Sequence, residues 1–186
     1  DGPVIGEPGA GPLLQCAVTG AGEPPSRIPD IAWRVGVDLQ PLDVRESGDI
    51  AWLEALLPPD RPDRLERLRA AIARIADDPP RVVAGDALDE LPGLVAAVPD
   101  GVTPVVAALG TLVYLAPGRR ARLVERIARL GARSVALEPA AALPDAQAAL
   151  AGLTAPRAEA SLLSLDGVPI AYSSPHGERI AFLAPR

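Results

Sequence analysis

The sequence contains no lysine, asparagine or methionine, and it has one cysteine and one histidine among its 186 residues. A single cysteine excludes an internal disulfide and a cysteine metal cluster, and it favours a reducing compartment. No run approaches the roughly 18 apolar residues that a membrane-spanning helix needs. The first residues also lack the charged-then-apolar pattern of a secretory signal. We therefore expect a cytoplasmic protein with no membrane partner.

With lysine absent, all 18 positive charges are arginine, and the net charge is −6. The arginines fall mostly on predicted helices beside acidic residues, so they form no basic stripe of the kind that binds nucleic acid. Together with the abundance of Ala, Pro and Gly, they indicate a GC-rich coding sequence. Nucleic acid is not expected as a partner. Apolar residues make up 48% of the chain, which suits a globular core.

Apolar strands alternate with amphipathic helices from residue 31 onward. The strands are predicted at 31–37, 81–84, 104–114 and 134–137, and the helices at 49–57, from Pro62 to about Ile75, and at 89–98, 119–130 and 141–153. Parallel strands need a crossover helix between them, so this alternation predicts parallel βαβ units. The expected fold is Rossmann-like α/β, with a mostly parallel sheet and helices on both faces.

The last segment changes character. Two β-rich runs, 160–165 and 168–173, flank Asp166-Gly167, a dipeptide that favours the type I′ turn of a two-residue hairpin. A second turn at 174–177 leads into a further short run, 179–183. The α/β body is therefore expected to end in a C-terminal antiparallel hairpin.

Residues 1–30 read as a Gly/Pro-rich loop segment with one short strand, and residues 31–186 as one α/β domain. The glycines Gly6, Gly9 and Gly11 follow almost no preceding chain, and two prolines interrupt them. A nucleotide-binding glycine loop must follow a buried strand and open a helix. We therefore interpret these glycines as an ordinary flexible loop.

Ligands of open parallel sheets bind beyond the C-terminal ends of the strands. Asp38 ends the first predicted strand and can accept hydrogen bonds from both ribose hydroxyls. After the second strand, Gly85, Asp86 and Ala87 let the backbone approach an adenine ring, with the Asp86 carboxylate accepting from its amine. Thr111 lies in the C-terminal part of the third predicted strand, in the segment 110–114. Alternatively, these acids cap the helices that begin there.

Other candidates carry weaker signals. His176, in a Pro-His-Gly turn, titrates near neutrality as an acid or base requires, although a lone turn histidine is more often structural. Tyr114 and Trp52 can stack on a ring, but core packing is their commoner fate. Cys16 lacks an activating base. Because no Ser-His-Asp order, zinc spacing or Walker loop occurs, no catalytic residue and no metal ligand is assigned.

Several blocks of sequence resemble an uncharacterised bacterial family, domain-of-unknown-function family 2332, from about residue 13 to the end. They are Arg34-Val-Gly-Val-Asp38 with Pro41 and Asp43, Trp52-Leu53, Pro59-Asp60 with Arg64 and Leu68, Gly85-Asp86-Ala87, Tyr114-Leu115 and His176-Gly177. At Glu138-Pro139 the chain departs from the family, which tends to have Asn-Glu there. Members look like class I methyltransferases, with a glycine-rich loop upstream of this region.

The resemblance implies that this chain is the C-terminal part of a methyltransferase-like domain and lacks the first, glycine-loop strand. It implies S-adenosylmethionine as cofactor, with Asp38 at the ribose, Asp86 at the adenine and the segment around Thr111 in the pocket wall. The methyl acceptor would be a small molecule. A sheet without its middle strand exposes two edges. These edges would pair directly, swap with a partner in a homo-oligomer, or need the absent segment.

Two other interpretations stay open. One is a non-catalytic member that kept the fold as a binding or assembly module. The other is a Rossmann-like dehydrogenase, which the reversed C-terminal hairpin and the lack of a suitable glycine fingerprint disfavour.

Overall fold

A computed structural model describes residues 3–7, 9, 11–143 and 161–184. The chain divides into two compact units. Residues 1–14 and 25–90 form the first unit, and residues 15–24 and 91–186 form the second. In chain order the elements are β1 (Ala17–Gly20), β2 (Gly36–Asp38), α1 (Ser47–Ala55), α2 (Pro62–Ile75), β3 (Val82–Ala84), α3 (Ala87–Ala96), β4 (Val105–Leu109), α4 (Pro117–Arg129), β5 (Arg133–Pro139), β6 (Ser161–Leu165), β7 (Val168–Ser173) and β8 (Arg179–Phe182).

The first unit is built on a two-stranded parallel sheet of β2 and β3. The best-defined helix is α2, where a proline at the first turn supplies the backbone angle that a helix start needs. The helical period of the sequence predicts one apolar stripe, with Glu66 facing water. Glu66 is exposed, and the four residues of the stripe are all half-buried: Leu65, Leu68, Ile72 and Ile75. Arg69 of α2 donates to Glu54 of α1 over 2.7 Å, which joins the two helices. None of the described residues of this unit is fully buried.

The second unit contains a six-stranded sheet in the order β1-β8-β7-β6-β5-β4. The pairs β1–β8 and β4–β5 are parallel, and the pairs β5–β6, β6–β7 and β7–β8 are antiparallel. The core lies here, because every buried apolar side chain among the described residues belongs to this unit: Leu91, Leu112, Leu123, Ile127, Ala132, Ala136, Ala142, Leu143, Leu162 and Ala171.

The prediction of a mostly parallel sheet is wrong, since the six-stranded sheet is mixed. The chain is an α/β protein, but the first strand of its hairpin, β6, pairs with β5 in the antiparallel direction. The next strand, β7, is in turn antiparallel to β6. The strand ending at Asp38 and the strand ending at Leu109 also belong to different sheets. Direct pairing of these two strands, one way of closing the exposed edges, is therefore excluded for the structure described.

The C-terminal hairpin is confirmed. Asp166 and Gly167 both have positive φ, 51° and 79°, as a type I′ turn requires, and they join β6 to β7 as the sequence predicts. The Asp166 carboxylate accepts a hydrogen bond from the Ser134 backbone N–H over 2.8 Å and a second one from the Arg133 side chain. The turn is thereby anchored to the beginning of β5.

Element ends match the prediction in some places and not in others. Gly131 follows the last apolar residue of the predicted helix 119–130, a place where glycine is expected to end a helix in the left-handed conformation. It has φ +70° directly after the last turn of α4, which confirms this. The predicted strand 104–114 is too long, because β4 ends at Leu109 and residues 112–114 form a 3₁₀ turn. A buried carboxylate accepts hydrogen bonds from the N–H groups of that turn, as described below.

Of the predicted helix 141–153, only residues 141–143 are among the described residues, so the rest of that prediction lies outside them. Among the described helices, none has the length and apolarity to cross a bilayer.

Candidate functional site

The C-terminal ends of β2 and β3 meet at one edge of the first unit's sheet. The two strands are parallel, with Asp38 in register with Ala84. The Gly85 N–H donates to the Asp38 carbonyl oxygen over 2.9 Å, so the turn after β3 is bonded to the tip of β2. Four of the predicted cofactor residues, from Asp38 to Ala87, thus follow neighbouring strands of one small sheet.

The Asp38 carboxylate is exposed and closes a local turn. Its Oδ1 accepts a hydrogen bond from the Gln40 N–H over 2.8 Å, the geometry by which aspartate stabilises a turn two residues ahead. No other contact of this carboxylate is found in the described part of the chain. One oxygen therefore has a structural role, and the other remains accessible to a donor.

Asp86 caps α3. Its Oδ1 accepts from the Leu88 N–H over 2.9 Å, and its carbonyl oxygen accepts from the N–H groups of Asp89 and Glu90. This is the capping arrangement weighed as the alternative to a nucleoside contact. It leaves the half-buried side chain at the start of the helix, where a negative charge is favoured.

Gly85 is needed for close packing within its own turn. A Cβ at this position would lie 2.7 Å from Cγ and 2.8 Å from Oε1 of Glu90. The Glu90 side chain therefore covers the Gly85 backbone, the surface that the sequence assigns to an adenine ring. On this side of Gly85, a ring can approach only if Glu90 takes another rotamer.

Thr111 belongs to the second unit and lies beside a buried carboxylate that the predicted site did not include. Glu138, near the end of β5, has no exposed surface. Its Oε1 accepts from the N–H groups of Thr111 and Leu112 over 2.6 and 2.7 Å, and its Oε2 accepts from the Val113 N–H over 3.2 Å. The N–H groups at the start of the 3₁₀ turn are thus satisfied by one side chain.

Arg120 of α4 holds the other end of the same turn. Its guanidinium donates to the carbonyl oxygens of Leu112, Leu115 and Ala141 over 2.9, 3.0 and 2.9 Å. A carboxylate at the N–H end and a guanidinium at the carbonyl end both complement the dipole of the turn. We call residues 111–115, held by Glu138 and Arg120, the clamped turn.

The clamped turn presents apolar side chains to solvent. Leu112 points inward and is 3% exposed, whereas Tyr114 is 87% exposed and Val113 is 43% exposed. The expectation that Tyr114 packs in the core is therefore wrong. The residues on either side of it, Val113 and Leu115, are hydrogen-bonded to the Glu138 and Arg120 side chains, so the exposed aromatic ring is carried by a turn anchored at both ends.

The remaining candidates lie on the surface. Trp52 is 59% exposed on α1, so it too is not a core residue. His176 is exposed in the turn between β7 and β8, where the Gly177 N–H donates to the Ser174 carbonyl. Cys16 is exposed as well. Over the residues that the structure describes, no three metal-ligating side chains come together.

The turn after β2 offers a test by pH. Asp43 accepts hydrogen bonds from the Arg45 side chain and from the Arg45 backbone N–H, and these lower its pKa from 3.8 to about 2. A lowered carboxyl pKa contributes stability above pH 3.8 that is lost as the pH falls towards 2. In NMR titrations, Arg45→Gln should move the midpoint of Asp43 up towards 3.8.

Asp63 is the internal control for that titration. Arg61 lowers its pKa to about 2 in the same way, and the Arg45 substitution leaves this pair intact. An Asp43 midpoint near 3.8 in the unsubstituted protein would contradict the hydrogen bonding described.

Glu138 and Arg120 were missing from the predicted site for different reasons. The position of an acid at the end of the fourth strand was visible in the sequence, but its three N–H partners lie 25 to 27 residues earlier. Arg120 is one of several arginines at the start of an amphipathic helix, and nothing local distinguishes it.

The chain matches a protein-family model described as an uncharacterised protein conserved in bacteria (DUF2332) over residues 1–181. The match starts earlier than the expected residue 13 and therefore includes the Gly/Pro-rich segment. No curated protein and no solved structure matches the chain.

Proposed function

The chain belongs to this family of uncharacterised bacterial proteins, and we propose that it is part of a methyltransferase-like domain that binds S-adenosylmethionine. The observation that carries the proposal is the edge where β2 and β3 end side by side, with Asp38 and Asp86 following the two strands. In open parallel sheets that edge is where nucleotides bind.

Each acid has a definite part in this proposal. The accessible oxygen of Asp38 accepts hydrogen bonds from the ribose hydroxyls, while its other oxygen keeps the turn through Gln40. Asp86 accepts from the adenine amine at the start of α3, where its negative charge is also favoured by the helix. The methyl acceptor is a small molecule, and the transfer depends on proximity and alignment rather than on an acid or base.

The test is calorimetry with S-adenosylmethionine on the full-length natural protein, including any glycine-rich segment upstream. Asp38→Asn and Asp86→Asn are suitable variants, because asparagine preserves a turn or a helix cap while removing the charge. Each should weaken binding about tenfold or more, since hydrogen bonds to a charged acceptor contribute about 1.5–3 kcal/mol.

Asp89→Asn is the matched control, because this acid lies in the first turn of α3 but does not cap it. It should bind like the unsubstituted protein. The absence of binding heat from a full-length protein whose circular dichroism is that of a folded α/β chain would refute the proposal.

A non-catalytic assembly module is the second candidate. The specific observation in its favour is that the described residues of the first unit include none that is fully buried, while large apolar side chains such as Trp52 are exposed. An assembly module would keep its oligomeric state and partners when Asp38 and Asp86 are replaced, whereas a methyltransferase would lose cofactor affinity.

A further inference from the structure

The tripeptide Asp-Gly-Val occurs twice in the second unit, at residues 100–102 and 166–168. In an Asp-Gly pair, the backbone nitrogen of the glycine can attack the side-chain carbonyl carbon of the aspartate. A C–N bond forms and water leaves, which gives a five-membered succinimide ring. Water then adds to either carbonyl of the ring. The products are aspartate or isoaspartate, in which the main chain continues through the former side chain.

Exposure and space do not distinguish the two pairs. Both aspartates and both glycines are exposed. Gly101 and Gly167 have φ of +78° and +79°, and a Cβ at either position would have no atom within 4 Å. A difference in reactivity must therefore come from the way in which the fold holds each aspartate.

The fold holds Asp166 through its side chain and its backbone. The carboxylate accepts hydrogen bonds from the Ser134 N–H, over 2.8 Å, and from the Arg133 side chain. The Asp166 N–H also donates to the Ser134 carbonyl oxygen over 2.8 Å, and β6 and β7 pair on either side of the turn. The reaction needs the carboxyl carbon to rotate onto the Gly167 nitrogen, and that rotation breaks these hydrogen bonds.

The same contacts keep the Asp166 carboxyl ionised. The hydrogen bond from the Ser134 N–H, and after it the one from Arg133, lower the pKa of this carboxyl. A carboxylate is a much poorer electrophile than the protonated acid, from which water can leave. Asp166 is therefore held away from the attacking nitrogen and in its less reactive form.

Asp100 lies in the loop between α3 and β4 and has none of these restraints. Within the described part of the chain, neither its carboxylate nor the Gly101 N–H makes a hydrogen bond, and the carboxylate has no ion pair. One backbone bond closes the turn, from the Val102 N–H to the Pro99 carbonyl oxygen over 3.2 Å. Rotation of Asp100 towards the Gly101 nitrogen therefore disturbs little.

We propose that Asp100–Gly101 is a site of spontaneous isoaspartate formation, whereas the fold protects Asp166–Gly167 in spite of the identical tripeptide. The product lengthens the main chain by one carbon atom in the loop that leads into β4. The inference is independent of cofactor binding, because none of these residues is assigned to the cofactor.

The experiment is storage of the full-length natural protein at physiological temperature and near-neutral pH, followed by trypsin digestion and mass spectrometry. Cleavage after arginine places Asp100 and Asp166 in separate peptides, 82–119 and 158–179. Electron-transfer fragmentation distinguishes isoaspartate from aspartate, which has the same mass. Isoaspartate should form about tenfold faster or more at Asp100, since the reaction at Asp166 first breaks hydrogen bonds to a charged group.

Two controls connect this difference to the fold and to Asp100. In guanidinium chloride the two tripeptides should react at similar rates, because the contacts of Asp166 are lost. Asp100→Glu should abolish the isomer in peptide 82–119, since glutamate would have to close a six-membered ring, which forms much more slowly. Circular dichroism verifies that the stored protein and this variant are folded.

A folded protein that forms isoaspartate equally at both positions would overturn the proposal. So would a folded protein that forms none at Asp100 while the denatured chain does. A preference for Asp100 that stays the same in guanidinium chloride would also overturn it, because the fold would then not protect Asp166.

Discussion

Replacing Glu138 by alanine is expected to destabilise the protein by about 3–5 kcal/mol. The carboxylate is fully buried and accepts hydrogen bonds from three consecutive backbone N–H groups. Its removal leaves these donors without a partner next to the core residue Leu112, and an unsatisfied buried donor costs about 1–3 kcal/mol. The free energy of unfolding, measured by urea denaturation, gives the size of the loss.

Two further variants make this result specific to the hydrogen bonds. Glu138→Gln keeps the volume but has one acceptor oxygen and an amide that cannot accept, so about half of the loss should remain. Glu125→Ala removes an exposed acid of α4 whose ion pair with Arg129 contributes at most about 1 kcal/mol. If Glu138→Ala were no more destabilising than Glu125→Ala, the clamped turn would not depend on this carboxylate.

Replacing Leu162 by alanine should cost about 2–5 kcal/mol. Leu162 has no exposed surface and lies on β6 between Glu138 of β5 and Tyr172 of β7, its partners across the two neighbouring strand pairs. A cavity here would open at the centre of the mixed sheet, where strands on both sides limit any collapse. Thermal or denaturant unfolding, followed by circular dichroism, measures the change.

Leu165→Ala on the same strand is the comparison, because its side chain is 36% exposed at the turn end of the hairpin. The same chemical change should cost markedly less there, since the residue leaves water only in part. Equal losses at the two positions would contradict the burial of Leu162 in a packed core.

The elements that were predicted correctly are those with local causes. The hairpin follows from Asp166-Gly167, because two adjacent residues that tolerate positive φ determine the turn and hence the pairing of the strands on either side. The end of α4 at Gly131 follows from the same conformational freedom. The apolar stripe of α2 follows from its period, which the helix geometry converts into one face.

The clamped turn marks the limit of that reasoning. Residues 104–114 form one apolar, β-rich run, so the run was predicted as a single strand. The strand ends at Leu109 because the carboxylate of Glu138, 25 or more residues later, accepts hydrogen bonds from the N–H groups of the turn that follows. Arg120 donates hydrogen bonds to carbonyl oxygens of the same turn. Neither partner is visible from the run itself, since the interaction depends on where β5 and α4 pack.

For the predicted cofactor residues, the sequence indicated where they lie in the fold, but not whether other groups of the chain already contact them. Asp38 and Asp86 were expected at strand ends and lie there. The Asp86 carboxylate accepts from the Leu88 N–H and caps a helix, as the alternative interpretation predicts for acids at strand ends. The Asp38 carboxylate instead accepts from the Gln40 N–H and stabilises a turn, a role that was not predicted for it. That Glu90 covers Gly85 is decided by a side-chain rotamer.

By itself the sequence determined the hairpin and most helix limits, because these depend on residues within one turn or one period of each other. It also determined the α/β class, from the order of the elements, and the family, from blocks of sequence along the chain. Only the tertiary structure decided the order of the strands, their separation into two sheets and the burial of Glu138. Those features depend on contacts between distant segments, whose free energies come from packing and from hydrogen bonds across the sheet, and no local pattern of residues records them.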